Sequence, residues 1–435
     1  MIVEIVNTGS ELMLGRVLNT HQQWLCRRLA DLGHVVTRQV AVADTGADIQ
    51  TAVREALGRA DLIITTGGLG PTSDDITREL IADLLGKKLV ENRDILTHIE
   101  NYFAKRGRPR PAATSVETFV PEGALVFINQ NGTAPGLAMA VEREELGKHS
   151  TVNIQLPTSK EGVRAKKWLI MLPGPPRELR PMFDHSIVPF LKREFADETF
   201  VCRTLRSVSV GESRVQEAVG EHLLPFVQRG MEVGYCARPW SVDVRLTASG
   251  PGAAELVAEG EATVQRILGK HIFGYDDEEI ETVIVRLLTE RKQTLALAES
   301  CTGGNIAHRI TNIPGASAIL LGGVVTYADS AKEKLIGVRA ETLAKHGAVS
   351  EEVAREMAVG VREKFGSDYA IAVTGIAGPG GGSPEKPVGT VFIAHASAAG
   401  VEVKKMLNPW DRATFKEVTA TQALEGVREQ MKKAE

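Results

Sequence analysis

The chain is expected to be a multidomain α/β protein, and three observations carry that expectation. Its 435 residues exceed what one hydrophobic core holds, so two or three domains are required. Residues 1–195 alternate short apolar runs with helical spacing, which is the pattern of a mostly parallel sheet covered by helices. A smaller α+β pattern fills 199–272, and a fresh helix–strand alternation begins at Glu278.

The elements follow in order. MIVEIV is a short β-rich run, and residues 20–32 place Trp24, Leu25, Leu29 and Leu32 at helical spacing before Gly33, a helix C-terminal signal. Residues 35–42 read as a strand, 48–57 as a helix, 61–66 as a buried strand and 76–85 as a helix ending at Gly86. In such sheets ligands bind beyond the carboxyl ends of the strands. Two glycine-bearing turns stand at such ends: TGSELMLG, with Thr8, Gly9 and Glu11, and TTGGLGPTSDD, with Gly67, Gly68, Gly70, Asp74 and Asp75. From Gly132 the pattern changes to NGTAPG, a polar hairpin-like excursion over 142–167, then WLIMLPGPPREL and a helix; 195–198 reads as a linker.

In the middle unit, TLRSVSVGES suggests a strand and turn, RVQEAVGEHLL a helix, SVDVRLTAS an alternating strand and AAELVAEGEATVQRILG a second helix. It offers no cluster of catalytic residue types.

The last unit opens with a helix to Arg291 and a buried strand over 294–298, then AESCTGG, then a helix over 305–311. Ser300 and Cys301 are adjacent candidate nucleophiles. Gly303 and Gly304 permit a sharp turn. A strand–turn–helix leaves backbone N–H groups and the positive end of a helix dipole beside Ser300, which suits an oxyanion hole and equally a bound phosphate. No histidine is patterned nearby except His308, one turn into the helix. The other candidates are Tyr327 and Lys332 in GGVVTYADSAKEKL, and a lysine base must be desolvated so that it is neutral. A third glycine-rich strand end, AIAVTGIAGPGGGSPEKPVG, can cradle an anion with its exposed N–H groups.

Composition narrows the class. Hydrophobic residues at 43%, charged residues at 24% and a net charge of −4 are ordinary globular values with no global pull towards nucleic acid or anionic membrane. The basic clusters at 105–110 and 164–167 read as solvated surface. The start of the chain lacks a signal-peptide pattern, and no apolar stretch is long enough to span a bilayer. Cys26, Cys202, Cys236 and Cys301 are widely spaced, so neither a disulfide framework nor a zinc site is expected, and a reducing cytoplasm fits.

AESCTGG, GGVVTYADSAKEKLIGV, GAVSEEVAREMA and AVTGIAGPGGGSPEKPVGTV resemble the CinA (competence/damage-inducible) family, and the match covers nearly the whole chain. The resemblance implies three parts: a molybdopterin-binding-like α/β sandwich over 1–197, a KH-like α+β module over 198–274 and a nicotinamide-nucleotide amidase domain over 275–435. It implies that the last part hydrolyses the carboxamide of nicotinamide mononucleotide to nicotinic acid mononucleotide and ammonia without a cofactor. Carried over by motif, Ser300 would be the nucleophile and Tyr327 and Lys332 the activating pair. Thr302, Gly303 and Gly304 would form the oxyanion turn, and Thr374, Gly375 and Gly378 would line the nucleotide site. The family usually has Gly-Asp-Arg and then a second arginine for the phosphate; here NPWDRATFKEV keeps Arg412, puts Trp410 for the glycine and has Lys416 near the second arginine.

The N-terminal motifs TGSELMLG, TTGGLGPTSDDIT, NGTAPG and LPGPPREL resemble the half that, in some members, hydrolyses ADP-ribose at its diphosphate with a divalent metal. Asp74, Asp75 and Glu11 would be the metal-holding carboxylates, and the glycine turns with Thr8, Gly9, Gly67, Gly68 and Gly70 the nucleotide contacts. Asn19-Thr20-His21 stands where the family commonly has Asn-Thr-Asn. The middle module lacks a Gly-x-x-Gly clamp with basic flanks, so RNA binding is not expected. Small-molecule nucleotides are therefore the expected partners, without direct nucleic acid or membrane contact, and the family resemblance implies a homodimer. The competing classes are a non-catalytic pterin- or nucleotide-binding scaffold and a competence-associated factor.

Overall fold

The computed structural model describes residues 1–142, 166–195 and 200–433. The expected excursion over 142–167 and the linker over 195–198 lie largely outside the described residues. The chain divides into two compact units, Met1–Val201 with Ser249–Pro251, and Cys202–Ala248 with Gly252–Glu435. No helix among the described residues is long and apolar enough to cross a membrane.

In the first unit, Val3–Thr8 and Leu62–Thr66 are buried at every residue, as strands covered on both faces must be. The six-stranded sheet runs Val36–Val42, Val3–Thr8, Leu62–Thr66, Lys166–Leu172, Gly136–Glu142, Leu125–Phe127. The first four strands are parallel and the last two antiparallel, so the sheet is mixed. The chain leaves Val3–Thr8 for one neighbour and returns on its other side at Leu62–Thr66. That is a topological switch point, and both glycine turns stand at its carboxyl edge. The expected helix after the first strand is Thr20–Asp31; Asn19 caps it by accepting from the Gln22 N–H, and Leu25 and Leu29 are buried. Gly33, at φ 82°, ends it, with the His34 N–H closing onto the Leu29 carbonyl at 2.8 Å.

The second unit holds two sheets. The four-stranded one has the order Glu232–Arg238, Ser241–Ser249, Phe200–Val208, Ile272–Tyr275, backed by the helices Glu212–Gln228 and Ala253–Leu268. Glu232–Arg238 escapes a hydrophobic-pattern reading because it is an edge strand whose side chains are partly or fully exposed. The five-stranded sheet runs Leu320–Val325, Leu295–Glu299, Tyr369–Gly375, Thr390–Ser397, Gly400–Leu407. Its first three strands are parallel, which sets Glu299, Val325 and Gly375 at one edge. Glu351–Phe365 covers one face; Ile280–Arg291 and Arg412–Lys433 cover the other. Arg428 ties the two sheets together: its guanidinium holds Glu425 at 2.7 Å and donates to the carbonyls of Ile272 and Lys270 at 3.0 and 3.1 Å. Every partner of this buried cation is thereby fixed, which offsets its desolvation.

The helix Arg412–Lys433 crosses the sheet at His395. A Cβ on Gly426 would stand 2.1 Å from the His395 ring, so only glycine admits the imidazole there. Nε2 lies 2.7 Å from the Ala423 carbonyl, an acceptor, and so carries the proton. Burial lowers the His395 pKa from 6.5 to about 4. Because the folded value is depressed, the neutral ring stabilises the fold fully above pH 6.5, and this contribution is lost as pH falls towards 4, by at most about 3 kcal/mol. His395→Gln, which keeps a donor for Ala423 but does not titrate, should therefore lose less thermal stability than the wild type between pH 6.5 and 4. Parallel melting curves for the two proteins across that window would contradict this.

Candidate functional site

At the end of Leu295–Glu299 the chain turns sharply. The Ser300 N–H still donates to the Val373 carbonyl at 3.0 Å, which anchors Ser300 to the neighbouring strand end. Gly303 and Gly304 have φ of 62° and 94°, and the helix Asn305–Thr311 starts at once. Glu299, 2% exposed, turns its carboxylate into this helix start and accepts from the N–H groups of Gly304, Ile306 and Ala307 at 2.9, 3.1 and 2.8 Å. The Gly303 N–H closes onto the Ser300 carbonyl at 3.1 Å. The N–H groups of Gly303 and Gly304, two of the three residues expected at an oxyanion turn, are thus already engaged. A buried carboxylate in reach of a positive helix end takes those donors before any ligand does.

Ser300 and Cys301 differ in kind. Burial pushes the Cys301 thiol up to about 12, so at neutral pH its thiolate fraction is about 10⁻⁵. Its sulfur sits in the apolar core with Ile306 and Val373. Thr302 is fully buried and its hydroxyl has no partner among the described residues.

The neighbouring strand ends bring the other expected residues. Lys332 is 1% exposed; its Nζ donates to the main-chain carbonyl of Tyr327 at 3.2 Å and lies 3.4 Å from the Asp329 carboxylate. The Tyr327 phenol instead accepts from Arg412 at 2.9 Å, and the same guanidinium donates to the Gly378 carbonyl at 2.9 Å. Tyr327 and Lys332 are thus linked through main chain rather than through the phenol, and among the described residues Ser300 Oγ is hydrogen-bonded to neither. Arg412, expected at a phosphate, spans Tyr327 and the glycine loop because it is the first residue of its helix and both acceptors face it. Thr374 is buried with its hydroxyl donated to the Ala348 carbonyl at 2.7 Å; Gly375 lies against the Thr390 carbonyl. The Lys416 ammonium stands 3.9 Å from where a Gly303 Cβ would be, over the turn.

In the first unit a cavity of about 570 Å³ lies at the switch point. Its lining includes all the expected residues: Thr8, Gly9 and Glu11 from one turn, Gly67, Gly68, Gly70, Asp74 and Asp75 from the other. Gly67 and Gly68 have φ of 98° and 67°, and a Cβ on Gly68 would stand 2.0 Å from Thr77 Oγ1. The N–H groups of Gly9 and Gly67 are engaged by the carbonyls of Val42 and Leu172. Those of Gly68, Leu69 and Gly70 donate to nothing among the described residues. Asp74 and Asp75 both approach the Thr72 hydroxyl, and the Thr72 N–H donates to Asp75 at 3.0 Å. The hydroxyl lowers the Asp74 pKa. No three His, Cys, Asp or Glu side chains among the described residues cluster closely enough to cage a metal. Asp74, Asp75 and Glu11 therefore share a cavity wall without forming a three-ligand set, because the Asp pair is turned into its own loop.

Several residues of these sites were missed in the sequence. Glu299 is the clearest: a carboxylate ending an otherwise apolar strand is an anomaly that signals a buried partner. Glu117, Thr133 and Glu178 also line the first-unit cavity. Asp44 does too, and it brackets Ser10 in both directions, accepting from its N–H at 2.8 Å and donating its own N–H to the hydroxyl at 3.2 Å.

Comparison with known proteins is consistent along the chain. Residues 4–193 match the probable molybdopterin binding domain, 202–274 the damage-inducible protein CinA KH domain and 277–431 the CinA C-terminal domain. A CinA-like protein of Akkermansia muciniphila is 42% identical over 98% of this chain and 96% of its own. Among solved structures, the competence/damage inducible protein CihA from Agrobacterium tumefaciens is 41% identical over 34% of this chain and 92% of its own, with a TM-score of 0.34. The competence damage-inducible protein A from Klebsiella pneumoniae is 40% identical over 35% and 94%, also with a TM-score of 0.34.

The Glu299 bonds give a stability test. Glu299→Ala strands three N–H groups in a buried turn and should lower unfolding stability by roughly 2–5 kcal/mol. An exposed control such as Glu221→Ala should stay within about 0.5 kcal/mol of the wild type. Denaturant midpoints of the two variants measure the difference, and equal midpoints would show that the cap is dispensable.

Proposed function

The chain belongs to the CinA family, and we propose that its C-terminal domain is an amidohydrolase that converts the carboxamide of nicotinamide mononucleotide to a carboxylate with release of ammonia. The observation that carries the reading is that the segments bearing Ser300 and Tyr327 follow paired strand ends, while burial holds the adjacent Cys301 as a protonated thiol. In this reading Ser300 Oγ attacks the amide carbon and its proton passes to Lys332, which must first leave its ion pair with Asp329 as the free amine. The tetrahedral intermediate collapses with transfer of a proton to the leaving nitrogen, giving an ester on Ser300 and ammonia. Water then hydrolyses the ester, and Ser300 regains its proton. Lys332 Nζ must swing from the Tyr327 carbonyl towards Ser300 as substrate binds. Arg412 and Lys416 are the cations available to the nucleotide phosphate.

The first-unit cavity supports a second activity within the same proposal, hydrolysis of ADP-ribose at its diphosphate. Gly68 and Gly70 amides would face the phosphates. Asp74 Oδ2 and Asp75 Oδ1 remain outside the Thr72 bonds, so the donors fit a divalent ion that arrives with the diphosphate, which needs only one or two carboxylates, with Glu11 on the same wall. Such an ion would neutralise phosphate charge.

Two experiments test the proposal. With nicotinamide mononucleotide, Ser300→Ala should lose at least about 10³-fold in kcat, and Lys332→Arg should be nearly inactive because a guanidinium stays protonated. Cys301→Ala should keep turnover; activity that survives in Ser300→Ala and vanishes in a folded Cys301→Ala reverses the assignment. With ADP-ribose and Mg²⁺, the Asp74→Asn/Asp75→Asn double variant should lose cleavage yet release ammonia at the wild-type rate. Cleavage that persists in this variant removes the carboxylates from the reaction.

A further inference from the structure

Thr326 carries a hydroxyl that the proposed chemistry does not use. It directly follows the strand Leu320–Val325, is fully buried, and its Oγ1 has no hydrogen-bond partner among the described residues. An unpaired hydroxyl in an interior destabilises a fold, so a polar side chain at this position needs a reason.

The sheet supplies one. Glu299 is in register with Val325 on one side and with Val373 on the other. The ladder runs one residue further on both sides: the Thr326 N–H donates to the Glu299 carbonyl at 2.8 Å, and the Ser300 N–H to the Val373 carbonyl at 3.0 Å. Ser300 and Thr326 are therefore next to one another at the sheet edge, on strands about 4.8 Å apart. Side chains alternate between the faces of a sheet. Ala296, Ala298 and Val324 pack into the core under Glu351–Phe365. Ser300 and Thr326 each follow that row by two residues and share its face. Val325 takes the other face, where it approaches Gly304. Lys332 reaches the Thr326 face as well, because Ile336, one turn further along Asp329–Ile336, belongs to the same core. The carbonyl that holds Lys332 Nζ is that of Tyr327, the residue after Thr326. The unpaired hydroxyl thus stands beside the nucleophile in the sheet and beside the anchor of the base in the chain.

We propose that Thr326 relays the proton of Ser300 to Lys332. The inference rests on the amidase reading. A hydroxyl accepts one hydrogen bond while donating another, which a relay requires. As Ser300 Oγ attacks the amide carbon, its O–H bond breaks and the proton joins Thr326 Oγ1. The proton of Thr326 passes at the same time to the lone pair of the free Lys332 amine. Threonine ends unchanged, the ammonium carries the positive charge, and the tetrahedral oxygen carries the negative one. The swing of Lys332 then ends at Thr326 and need not reach Ser300 itself.

The test uses the full-length protein and ammonia release from nicotinamide mononucleotide. Thr326→Val keeps the shape and removes the relay, so kcat/KM should fall by about 10²-fold. Its denaturant midpoint should equal or exceed that of the wild type, since no hydrogen bond is lost. Thr326→Ser restores a hydroxyl and should recover most of the rate. In the inactive Ser300→Ala background, adding Thr326→Val should leave the affinity for nicotinamide mononucleotide unchanged, measured by calorimetry. An unchanged kcat/KM in Thr326→Val or a serine variant as slow as the valine one overturns the relay. So does a weakened affinity, which would make Thr326 a substrate contact, or a lowered midpoint, which would make its hydroxyl structural. Each of these leaves the amidase reading standing. A wild-type protein that binds nicotinamide mononucleotide but releases no ammonia, or does not bind it, overturns both.

Discussion

The second unit's site depends on one carboxylate placed where a helix begins. Glu299 ends a buried strand, and its two oxygens take three amide hydrogens of the following turn. Without it, the Ile306 donor would be orphaned in a buried position and those of Gly304 and Ala307 in partly buried ones. With it, Ser300 is clamped from both sides: its N–H by the Val373 carbonyl, its carbonyl by the Gly303 N–H. The adjacent Thr326 N–H donates to the Glu299 carbonyl at 2.8 Å, so the same residue also registers the strand that delivers Tyr327.

The two units solve a shared problem with different chemistry. Each ends parallel strands in glycine turns, and each must settle the backbone groups those turns expose. In the first unit side chains of the loops do this: Asp44 brackets Ser10, and Asp75 holds Thr72. The Gly68 and Gly70 amides are left over, facing a cavity. In the second unit Glu299 consumes the amides at the helix start, and the unspent polar groups are cationic side chains. One site therefore offers backbone donors among carboxylates, the other cations around a hydroxyl. An anion needs a counter-ion or a proton at the first site and neither at the second.

Much of this was legible in the sequence because it rests on local rules. Strand and helix positions followed apolar spacing and caps, as at Thr20–Asp31 with Asn19 and Gly33. The glycine turns could be placed because strands in such sheets terminate at ligand sites. Long-range placement was not legible. That Arg412 meets Tyr327 across 85 residues, that Lys332 turns to a main-chain carbonyl, and that Glu117 and Glu178 join the Asp75 wall are decided by how separate elements pack. Spacing did not distinguish Ser300 from Cys301 either, since intrinsic reactivity favours the thiol, which burial here holds protonated.

Under the proposed amidase reading, the position of Glu299 also constrains how a nucleotide would lie in the second unit. A phosphate at the start of Asn305–Thr311 would have to displace a carboxylate already bonded to three amides, and the two anions would repel at close range. The phosphate must therefore be received by side chains. Lys416 stands over the Gly303 turn with no hydrogen-bond partner among the described residues, and Arg412 lies between Tyr327 and the Gly378 loop. Arg412 reaches a phosphate only by loosening one of its two bonds, whereas Lys416 gives up none. The cation over the Gly303 turn is a lysine, which attracts a phosphate as a point charge and does not fix its orientation. In that reading, orientation of the ring amide over Ser300 would fall to the contacts around Tyr327 and the glycine loop rather than to the group that holds the phosphate.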